Sequence, residues 1–284
     1  MRIKKAVITA AGPAQRALPQ QNLVDRDGAQ KTALRIVVEE AISAGIEEVC
    51  IVHCPGDQAA YREAAGDVGA RLTFVAQESP RGYGHALYCA RDFTDDTPFL
   101  HLVSDHLCIS HRPERCAQQL VHAAEVEDCA VSAVQATAES MLPYYGTVGG
   151  MRVPKHVNLY TVERVSEKPT PTEAEQSLIV PGLRAGRYLC FFGMHVLTPA
   201  VMDLLGGLIE GSGSGQRVQL SDALNLLAAK ERYLALEVKG HRYNIGVKYG
   251  LLIAQLALSL EGQDREEILT HLVELLATRH QDRV

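Results

Sequence analysis

Residues 5–19 read KAVITAAGPAQRALP, a short hydrophobic run followed by a small-residue turn that contains one glycine. A glycine-containing turn directly after a first strand lets backbone N–H groups approach a phosphate. Pro13 removes one of those donors, whereas the donor fork of Arg16 suits a phosphate. The stretch therefore predicts a strand that leads either into a nucleotide-binding loop or into an ordinary turn with a surface arginine.

Strand, turn and helix patterns alternate through the first half of the chain. Apolar strand-like runs and helical apolar spacing alternate in the order 5–9, 33–44, 48–53, 57–65, 71–76, 83–91, 98–103, 112–125 and 129–135. This alternation with short links predicts an α/β fold with a doubly wound, mostly parallel, Rossmann-like sheet. Ligands bind at the carboxyl ends of the strands in such sheets, which places residues 10–16, Gln77 and Asp105 on one edge.

The second half of the chain is less regular. The hydrophobic pattern predicts strands at 144–150, 159–167, 188–196, 234–238 and 242–245, and helices at 199–208 and 218–230. Residues 171–181 are polar and bounded by prolines, which predicts a loop. Two amphipathic helices follow at 250–260 and 265–278. We therefore expect a main α/β domain over residues 1–249 and a C-terminal helical segment over 250–284, which packs on that domain or mediates association.

Composition narrows the classes of partner and compartment. The chain has 284 residues and a formal net charge of −6, which argues against a general nucleic-acid binder. It has seven cysteines without a CxxC pair, which is typical of reduced thiols in a cytoplasmic protein. No run of about 18 apolar residues is present, so no membrane span is predicted. The negative net charge does not exclude small anionic ligands, because local arginines and lysines can bind them.

Polar residues that follow predicted strands are candidates for ligand binding. Asp105 ends an apolar strand; a carboxylate there holds Mg²⁺ beside a phosphate, or it is a helix N-cap or loop acid. The amide of Gln77 offers a donor and an acceptor to the edge of a base, and Gly82 allows close backbone approach. The alternative for that segment is an ordinary turn rich in proline and glycine.

Two later strand ends carry similar candidates. Glu167 and Lys168 precede a proline; the carboxylate suits sugar hydroxyls and the lysine suits a phosphate, and the alternative is a surface ion pair before a turn. Asn244 is either a neutral oxygen ligand or a turn-forming asparagine. The complete phosphate loop GxxxxGK[ST], the GxGxxG fingerprint, the nucleophile elbow, HExxH and zinc-ligand spacings are all absent from the sequence.

Together these residues resemble the sugar-nucleotidyltransferase family, in particular its bacterial UTP–glucose-1-phosphate uridylyltransferases, over about residues 4–260. The family pattern A-G-x-G-T-R-x-L-P is matched by Ala11, Gly12, Arg16, Leu18 and Pro19. Its Q-x-x-P-x-G-x-G-H-A segment is matched by Gln77, Pro80, Gly82, Gly84, His85 and Ala86. Later matches, in family order, are Asp105, Tyr145-Gly146, Glu167-Lys168-Pro169, Gly186-Arg187-Tyr188, Gln219-Leu220-Ser221-Asp222-Ala223 and Tyr243-Asn244-Ile245-Gly246.

The resemblance implies a Mg²⁺-dependent enzyme that binds a nucleotide and a sugar 1-phosphate. It implies that the nucleotide base contacts Ala11, Gly12, Gln77 and Gly82. It implies that Arg16 holds the triphosphate and Asp105 the Mg²⁺, with Asn244 as second metal ligand. It implies that Gly146 and Glu167 hold the sugar and Lys168 its phosphate. Arg16, Asp105 and Lys168 are thus the expected catalytic residues.

The chain departs from the family pattern around the first loop. Ala14 and Gln15 replace a glycine and a threonine, and the segment after Pro19 lacks the family's catalytic lysine. Arg26 and Lys31 are the cations of that segment that we consider as substitutes. Two functions follow: an active nucleotidyltransferase, most simply one that forms UDP-glucose from UTP and glucose 1-phosphate, or a catalytically weak relative that binds a nucleotide or sugar nucleotide as a sensor or partner subunit.

Overall fold

The strands and helices follow one another in the alternating order that the sequence predicts. A computed structural model describes residues 1–213 and 215–281. Its strands are β1 (Lys5–Ala10), β2 (Asn22–Val24), β3 (Gln30–Thr32), β4 (Glu48–His53), β5 (Arg71–Ala76), β6 (Phe99–Val103), β7 (His106–Ser110), β8 (Ala130–Ala138), β9 (Gly146–Arg152), β10 (Leu159–Glu167), β11 (Arg187–Leu197), β12 (Tyr233–Glu237) and β13 (Gly240–Asn244).

The helices lie between these strands and after the last of them. They are α1 (Ala33–Ser43), α2 (Gln58–Ala65), α3 (Tyr83–Tyr88), α4 (Arg91–Thr94), α5 (Cys116–Glu127), α6 (Pro171–Ser177), α7 (Ala200–Gly211), α8 (Leu220–Lys230), α9 (Gly250–Leu260) and α10 (Arg265–Gln281). Short 3₁₀ helices span Pro13–Gln15, Leu18–Gln20 and Glu139–Tyr144. Residues 282–284 of the predicted C-terminal segment, and Ser214, lie outside the described residues.

One nine-stranded sheet organises the fold. Its strand order is β5-β4-β1-β6-β11-β8-β12-β10-β9. Among the described strands of this sheet, only β11 and β10 run against the other seven. The predicted doubly wound, mostly parallel α/β fold is therefore confirmed, with two antiparallel strands inserted in its second half.

Helices cover both faces of this sheet. Successive side chains of a strand point to opposite faces, so Val7 and Ile8 on β1 enter two different cores. Ile8 packs with Leu34 of α1 and with residues of α2 and α5. Val7 packs with Leu87 of α3 and with residues of α7 and α8. Because both faces are covered, the strand reads as a continuous apolar run rather than an alternating one.

The structure adds elements that the sequence reading missed. Two two-stranded sheets flank the main sheet, one formed by β2 and β3 and one by β7 and β13. The prediction of a loop at 171–181 is wrong for the first part of this segment, which forms α6. The side chain of Thr170 caps that helix by accepting a hydrogen bond from Glu173 N, and Pro171 occupies the first turn, where a proline is tolerated.

The C-terminal helix α9 buries the side chains of one side and exposes those of the other. Helix α9 packs against β2, β7 and β13, and buries Ala254 and Leu258 in the core. Its other side exposes Leu252 and Ile253, which are 55% and 50% accessible. Within residues 1–213 and 215–281, no helix is both long enough and apolar enough to cross a lipid bilayer.

Candidate functional site

The carboxyl ends of four neighbouring strands meet at one edge of the sheet. In the register of the sheet, Ala10 pairs with His53 and His53 with Ala76, while Thr9 pairs with Val103. Ala11 and Gln77 come directly after the ends of β1 and β5, and Asp105 comes two residues after the end of β6. The structure therefore brings the three residues to the same edge, as the sequence predicts.

The first loop holds its arginine in an ion pair. Gly12 is exposed and begins the 3₁₀ turn, and Ala11 is buried. Arg16 binds the carboxylate of Asp57 through two nitrogens, with Nε 2.7 Å from Oδ2. This hydrogen bond lowers the pKa of Asp57 despite some burial. A phosphate that takes Arg16 must therefore compete with Asp57, a residue that the sequence reading did not single out.

Gln77 is buried at the end of β5 with one end of its amide already bound. Its Nε2 donates to the carbonyl oxygen of Gly82 at 3.1 Å and to Nδ1 of His85 at 2.9 Å. Burial and the nearby charge of Arg81 lower the pKa of His85, which keeps the imidazole neutral and able to accept this bond. Within the described residues Oε1 of Gln77 has no hydrogen-bond donor, so the acceptor end of the amide is available to a ligand.

Gly82 is required by the path of the chain. Its φ is +102°, a conformation that side chains other than glycine rarely adopt. A Cβ atom at this position would lie 2.7 Å from the carbonyl oxygen of Val218. The backbone of Arg81 and Gly84 also bonds Val218, at 2.8 Å and 2.9 Å. The glycine therefore lets the segment after Gln77 lie directly against the chain that leads into α8.

Asp105 is an ionised carboxylate next to the β7–β13 pair. Its Oδ1 lies 2.8 Å from Nδ1 of His106, and its backbone carbonyl accepts a hydrogen bond from Ile245 N at 2.9 Å. Burial by itself would raise the pKa of Asp105, but the interactions with His106, with its own backbone N–H and with Gln15 together outweigh burial and lower that pKa. The fold thus places a negative charge at the same edge of the sheet as the first loop.

Asn244 ends β13 beside this carboxylate, opposite His106 in the register. Its Oδ1 accepts a hydrogen bond from Gly246 N at 2.8 Å, which leaves further acceptor capacity on that oxygen. The side chain of Gln15 reaches the same place, because its Nε2 lies 2.7 Å from where a Cβ of Gly246 would be. The altered loop residue is therefore part of the site.

Two oxygen ligands from adjacent segments fit a hard divalent cation. Within the part of the chain that the structure describes, no three His, Cys, Asp or Glu side chains cluster to hold a metal ion. Mg²⁺ does not need such a cage, since it is usually held by one or two protein oxygens together with waters and substrate phosphates. Asp105 and Asn244 provide that smaller set.

Gly146 and Glu167 face each other across β9 and β10. A Cβ at Gly146 would lie 3.0 Å from Oε2 of Glu167 and 2.8 Å from the ring of Phe191, so a larger residue would push this carboxylate away. Burial raises the pKa of Glu167, while the charge of Lys168 acts in the opposite direction. The structure thus joins the two residues predicted to hold a sugar.

Lys168 has a backbone conformation that is unusual for its type. Its φ is +48°, although the following residue is Pro169, which favours an extended conformation before it. The N–H of Lys168 donates to the carbonyl oxygen of Tyr145 at 3.3 Å. Such strain in a residue other than glycine persists only where the surroundings fix it, and it concentrates at functional sites.

Tyr145 connects the two halves of the site. Its ring centre lies 6.2 Å from that of His106, which follows Asp105, and Tyr145 itself precedes Gly146. The guanidinium carbon of Arg242 lies 3.8 Å from the centre of the same ring. The sequence reading missed His106, Tyr145 and Arg242 as site residues. Adjacency to Asp105 and to Gly146, and the position of Arg242 two residues before Asn244, were the available signals.

The two cations considered as substitutes for the missing lysine lie in different surroundings. Nζ of Lys31 is bound by three carboxylates at 2.7–2.8 Å, those of Asp25, Asp27 and Glu39, which does not support it as a substitute. Arg26 lines a cavity of about 10 Å³ together with Glu40 and His106, the neighbour of Asp105. The hypothesis about Arg26 therefore stays a prediction.

Known proteins resemble this chain over almost its whole length. It is 29% identical to a UTP–glucose-1-phosphate uridylyltransferase of Staphylococcus saprophyticus, across 97% of this chain and 98% of the relative. It is 30% identical to one of Bacillus subtilis, across 97% and 96%. A crystal structure of a UDP-glucose pyrophosphorylase complexed with UDP-glucose superimposes with a TM-score of 0.73 at 25% identity, over 90% of this chain and 98% of that one.

The match extends to the sequence family. Residues 13–252 match the family described as nucleotidyl transferase, a span that begins in the first loop and ends in α9. It therefore contains every candidate site residue except Ala11 and Gly12, which immediately precede it. The fold, the family match and the two relatives agree, and the chain belongs to the nucleotidyl transferase family.

Proposed function

We propose that the protein transfers a uridylyl group from UTP to glucose 1-phosphate, releasing pyrophosphate and forming UDP-glucose, with Mg²⁺ as cofactor. The printed names of the relatives support this choice of substrates. The observation that carries the proposal is the position of Asp105. On one side it contacts Gln15 of the first loop. On the other side it contacts His106, whose ring lies near that of Tyr145, the residue before Gly146. A single carboxylate thus adjoins both groups of candidate binding residues.

The nucleotide binds at the edge formed by the ends of β1 and β5. The acceptor Oε1 of Gln77 suits the N3–H of uracil, and the backbone of Ala11, Gly12 and Gly82 contacts the base and ribose. Arg16 exchanges its bond with Asp57 for one with the triphosphate, because a guanidinium binds phosphate through the same fork of donors. Asp57 keeps this side chain extended towards the loop until the nucleotide takes it.

Asp105 and Asn244 would hold the Mg²⁺. When bound, the metal neutralises charge that develops on the phosphate oxygens. The lowered pKa of Asp105 keeps the ligand ionised at neutral pH. Gln15 and His106 fix the orientation of the carboxylate, since both contact it or its neighbours.

The sugar 1-phosphate binds on the opposite side of Asp105. Glu167 accepts hydrogen bonds from sugar hydroxyls, Gly146 leaves space for the ring, and Lys168 pairs with the phosphate. An oxygen of this phosphate attacks the α-phosphorus of UTP, and the bond from that phosphorus to pyrophosphate breaks. The attacking oxygen is already ionised, so the residues contribute by positioning and charge neutralisation rather than proton transfer.

A pyrophosphate-release assay tests the proposal. Four nucleoside triphosphates are each combined with glucose, galactose and N-acetylglucosamine 1-phosphates, with and without Mg²⁺. We expect the fastest release with UTP, glucose 1-phosphate and Mg²⁺, and no release with the metal chelated. Absence of turnover with every pair, together with measurable UTP binding, would overturn the enzymatic proposal in favour of a nucleotide-binding sensor or partner subunit.

We also propose that the protein acts in the cytoplasm as a homo-oligomer. The exposed apolar residues of the C-terminal helices, among them Leu252, Ile253, Val273 and Leu276, support association of copies through this segment. Light scattering at micromolar concentration tests the association of copies. A single monomer mass would contradict it.

A further inference from the structure

Within residues 1–213 and 215–281, Arg242 is a cation without a carboxylate partner. It lies on β13 opposite Cys108, and the ring of Tyr145 covers its guanidinium at 3.8 Å. Its Nη2 is 3.4 Å from Oγ1 of Thr137, a long contact. Within the described residues, the buried Nε and Nη1 have no hydrogen-bond partner. Apart from the contact with Thr137 and the hydroxyl of Tyr145, the guanidinium has no acceptor among the described residues.

An arrangement of this kind is unfavourable unless something else binds the charge. Burial lowers the pKa of Arg242, but a guanidinium stays protonated in proteins. The groups around it are the thiols of Cys108 and Cys190, whose pKa values burial raises, and the side chain of Tyr145, so no carboxylate is among them. Buried charges are otherwise paired or hydrogen-bonded, because removal from water is costly. An anion from outside the chain would supply the missing partner.

The position of Arg242 indicates which kind of anion. Tyr145, which covers it, precedes Gly146 and accepts the N–H of Lys168. Asn244 lies two residues along the same strand, hence on the same face. Arg242 thus adjoins both the proposed sugar-phosphate residues and the proposed metal ligands. The anion expected at such a place is a phosphate.

We propose that Arg242 binds a phosphate group of the substrates and supplies positive charge that the loop after Pro19 lacks. Tyr145 covers the guanidinium, and a phosphate reaches the unpaired nitrogens when this ring moves aside. The exchange is favourable because charge-assisted hydrogen bonds to phosphate are stronger than a cation–π contact. Since the identity of the anion rests on the proposed function, binding and turnover are measured separately.

Calorimetric titration of Arg242→Gln and Arg242→Lys tests the assignment. Each variant and the wild type are titrated with glucose 1-phosphate and with inorganic pyrophosphate, which distinguishes the two sources of phosphate. We expect Arg242→Gln to weaken binding of at least one of them about tenfold or more, and Arg242→Lys to retain part of the affinity. Wild-type affinity of folded Arg242→Gln for both ligands would overturn the proposal.

Arg152→Gln is the matched control. Arg152 also lies over a tyrosine ring, that of Tyr160 at 5.7 Å, but it is exposed at the far end of β9. We expect its affinities to equal those of the wild type. An equal loss in both glutamine variants would show that general charge, and not a site at Arg242, binds the phosphates, and would overturn the proposal.

A fluorescent variant tests the movement of the covering ring and does not depend on whether Arg242→Gln folds. The chain contains no tryptophan, so Tyr145→Trp introduces a single reporter stacked on the guanidinium. We expect saturating pyrophosphate or glucose 1-phosphate to change its emission, whereas unchanged emission with both would contradict the model of a displaced cover. Arg242-dependent phosphate binding without any turnover would leave this inference standing and overturn the proposed function alone.

Discussion

Two short sheets beside the main sheet each remove a basic side chain from solvent, and they treat its charge in opposite ways. In the β2–β3 hairpin, burial alone would lower the pKa of Lys31, but hydrogen bonds to three carboxylates raise it well above its usual value. In the β7–β13 pair, Arg242 forms no ion pair within the described part of the chain, and burial lowers its pKa.

The difference separates charge that serves the fold from charge that serves a ligand. Lys31 ties the hairpin to α1 through Glu39, so its charge is balanced internally and a substrate phosphate would have to displace three carboxylates. Arg242 breaks no ion pair when it binds an anion, although the ring of Tyr145 has to move from its guanidinium. The segment after Pro19 therefore holds a lysine whose charge is balanced internally, whereas the guanidinium on β13 has no carboxylate partner within the described residues.

Removing one carboxylate from each region should have the largest and most contrasting effects. Asp105 adjoins β7, and its replacement in Asp105→Asn removes the charged metal ligand. We expect Mg²⁺-dependent turnover to fall about 10²- to 10³-fold, because charge neutralisation at the phosphates is lost. Asp25→Asn removes one of three partners of Lys31 and should leave kcat within about twofold. The pyrophosphate-release assay measures both, and similar losses in the two variants would contradict the contrast.

Removing the two cations should separate stability from binding. Lys31→Met leaves Asp25 and Glu39 as close, partly buried carboxylates without a counter-charge, so we expect the free energy of unfolding to fall by about 3–5 kcal/mol. Arg242→Met breaks no ion pair, so the expected change is below about 1 kcal/mol in either direction. Urea unfolding at pH 7 measures both values. A loss for Arg242→Met as large as that for Lys31→Met would show that its charge is structural.

The main sheet and the two short sheets also differ in how well they could be predicted from the sequence. Strands Glu48–His53 and Arg71–Ala76 were predicted at their observed bounds, because a short run rich in β-branched and other apolar residues is recognisable without knowledge of its neighbours. The strands β2 and β3 have three residues each and contain polar residues, so no periodicity identifies them. Strand β7 pairs with β13, from a distant part of the chain, and such pairing is not visible locally.

The candidate site divides in a similar way. Gln77 and Asp105 were placed correctly because the end of a parallel strand fixes the position of the next residue. The pairing of Arg16 with Asp57, 41 residues away, and the stack of Tyr145 on Arg242 depend on side-chain contacts between distant segments. For the same reason the sequence could not show that Lys31 is held by its neighbours.

A third way to bury a basic group is to keep it neutral, and His101 does so. Its Nδ1 bonds the carbonyl of Val7 at 2.9 Å and its Nε2 bonds the hydroxyl of Tyr83 at 2.6 Å. Burial lowers the pKa of His101 from 6.5 to about 4. As pH falls below 6.5 the unfolded chain takes up a proton that the folded state refuses, so stability is lost progressively down to about pH 4. The expected loss from this group is about 3 kcal/mol.

Urea unfolding between pH 7 and pH 4 measures this loss, and His101→Gln is the control. Glutamine can donate to Val7 and accept from Tyr83 but does not titrate in this range. We expect its stability to fall by about 3 kcal/mol less than that of the wild type over the same interval. Parallel curves for the two proteins would show that His101 is protonated in the folded state, and hence that this basic group is not kept neutral.

The smallest expected effect concerns the carboxylate of Glu167, which directly precedes Lys168. Burial raises its pKa above the usual 4.5, while the charge of Lys168 opposes that rise. A phosphate bound at Lys168 and Arg242 cancels that opposition, so the pKa of Glu167 should be higher in the complex than in the free protein. By linkage, such a group favours binding at low pH, so we expect the KM for glucose 1-phosphate of the wild type, divided by that of Glu167→Gln, to fall as pH drops from 7 towards 5. The ratio removes the titration of the substrate phosphate, which both proteins share. If Arg242 binds the phosphate, Arg242→Lys changes this pH dependence; an unchanged dependence assigns the phosphate to Lys168 alone.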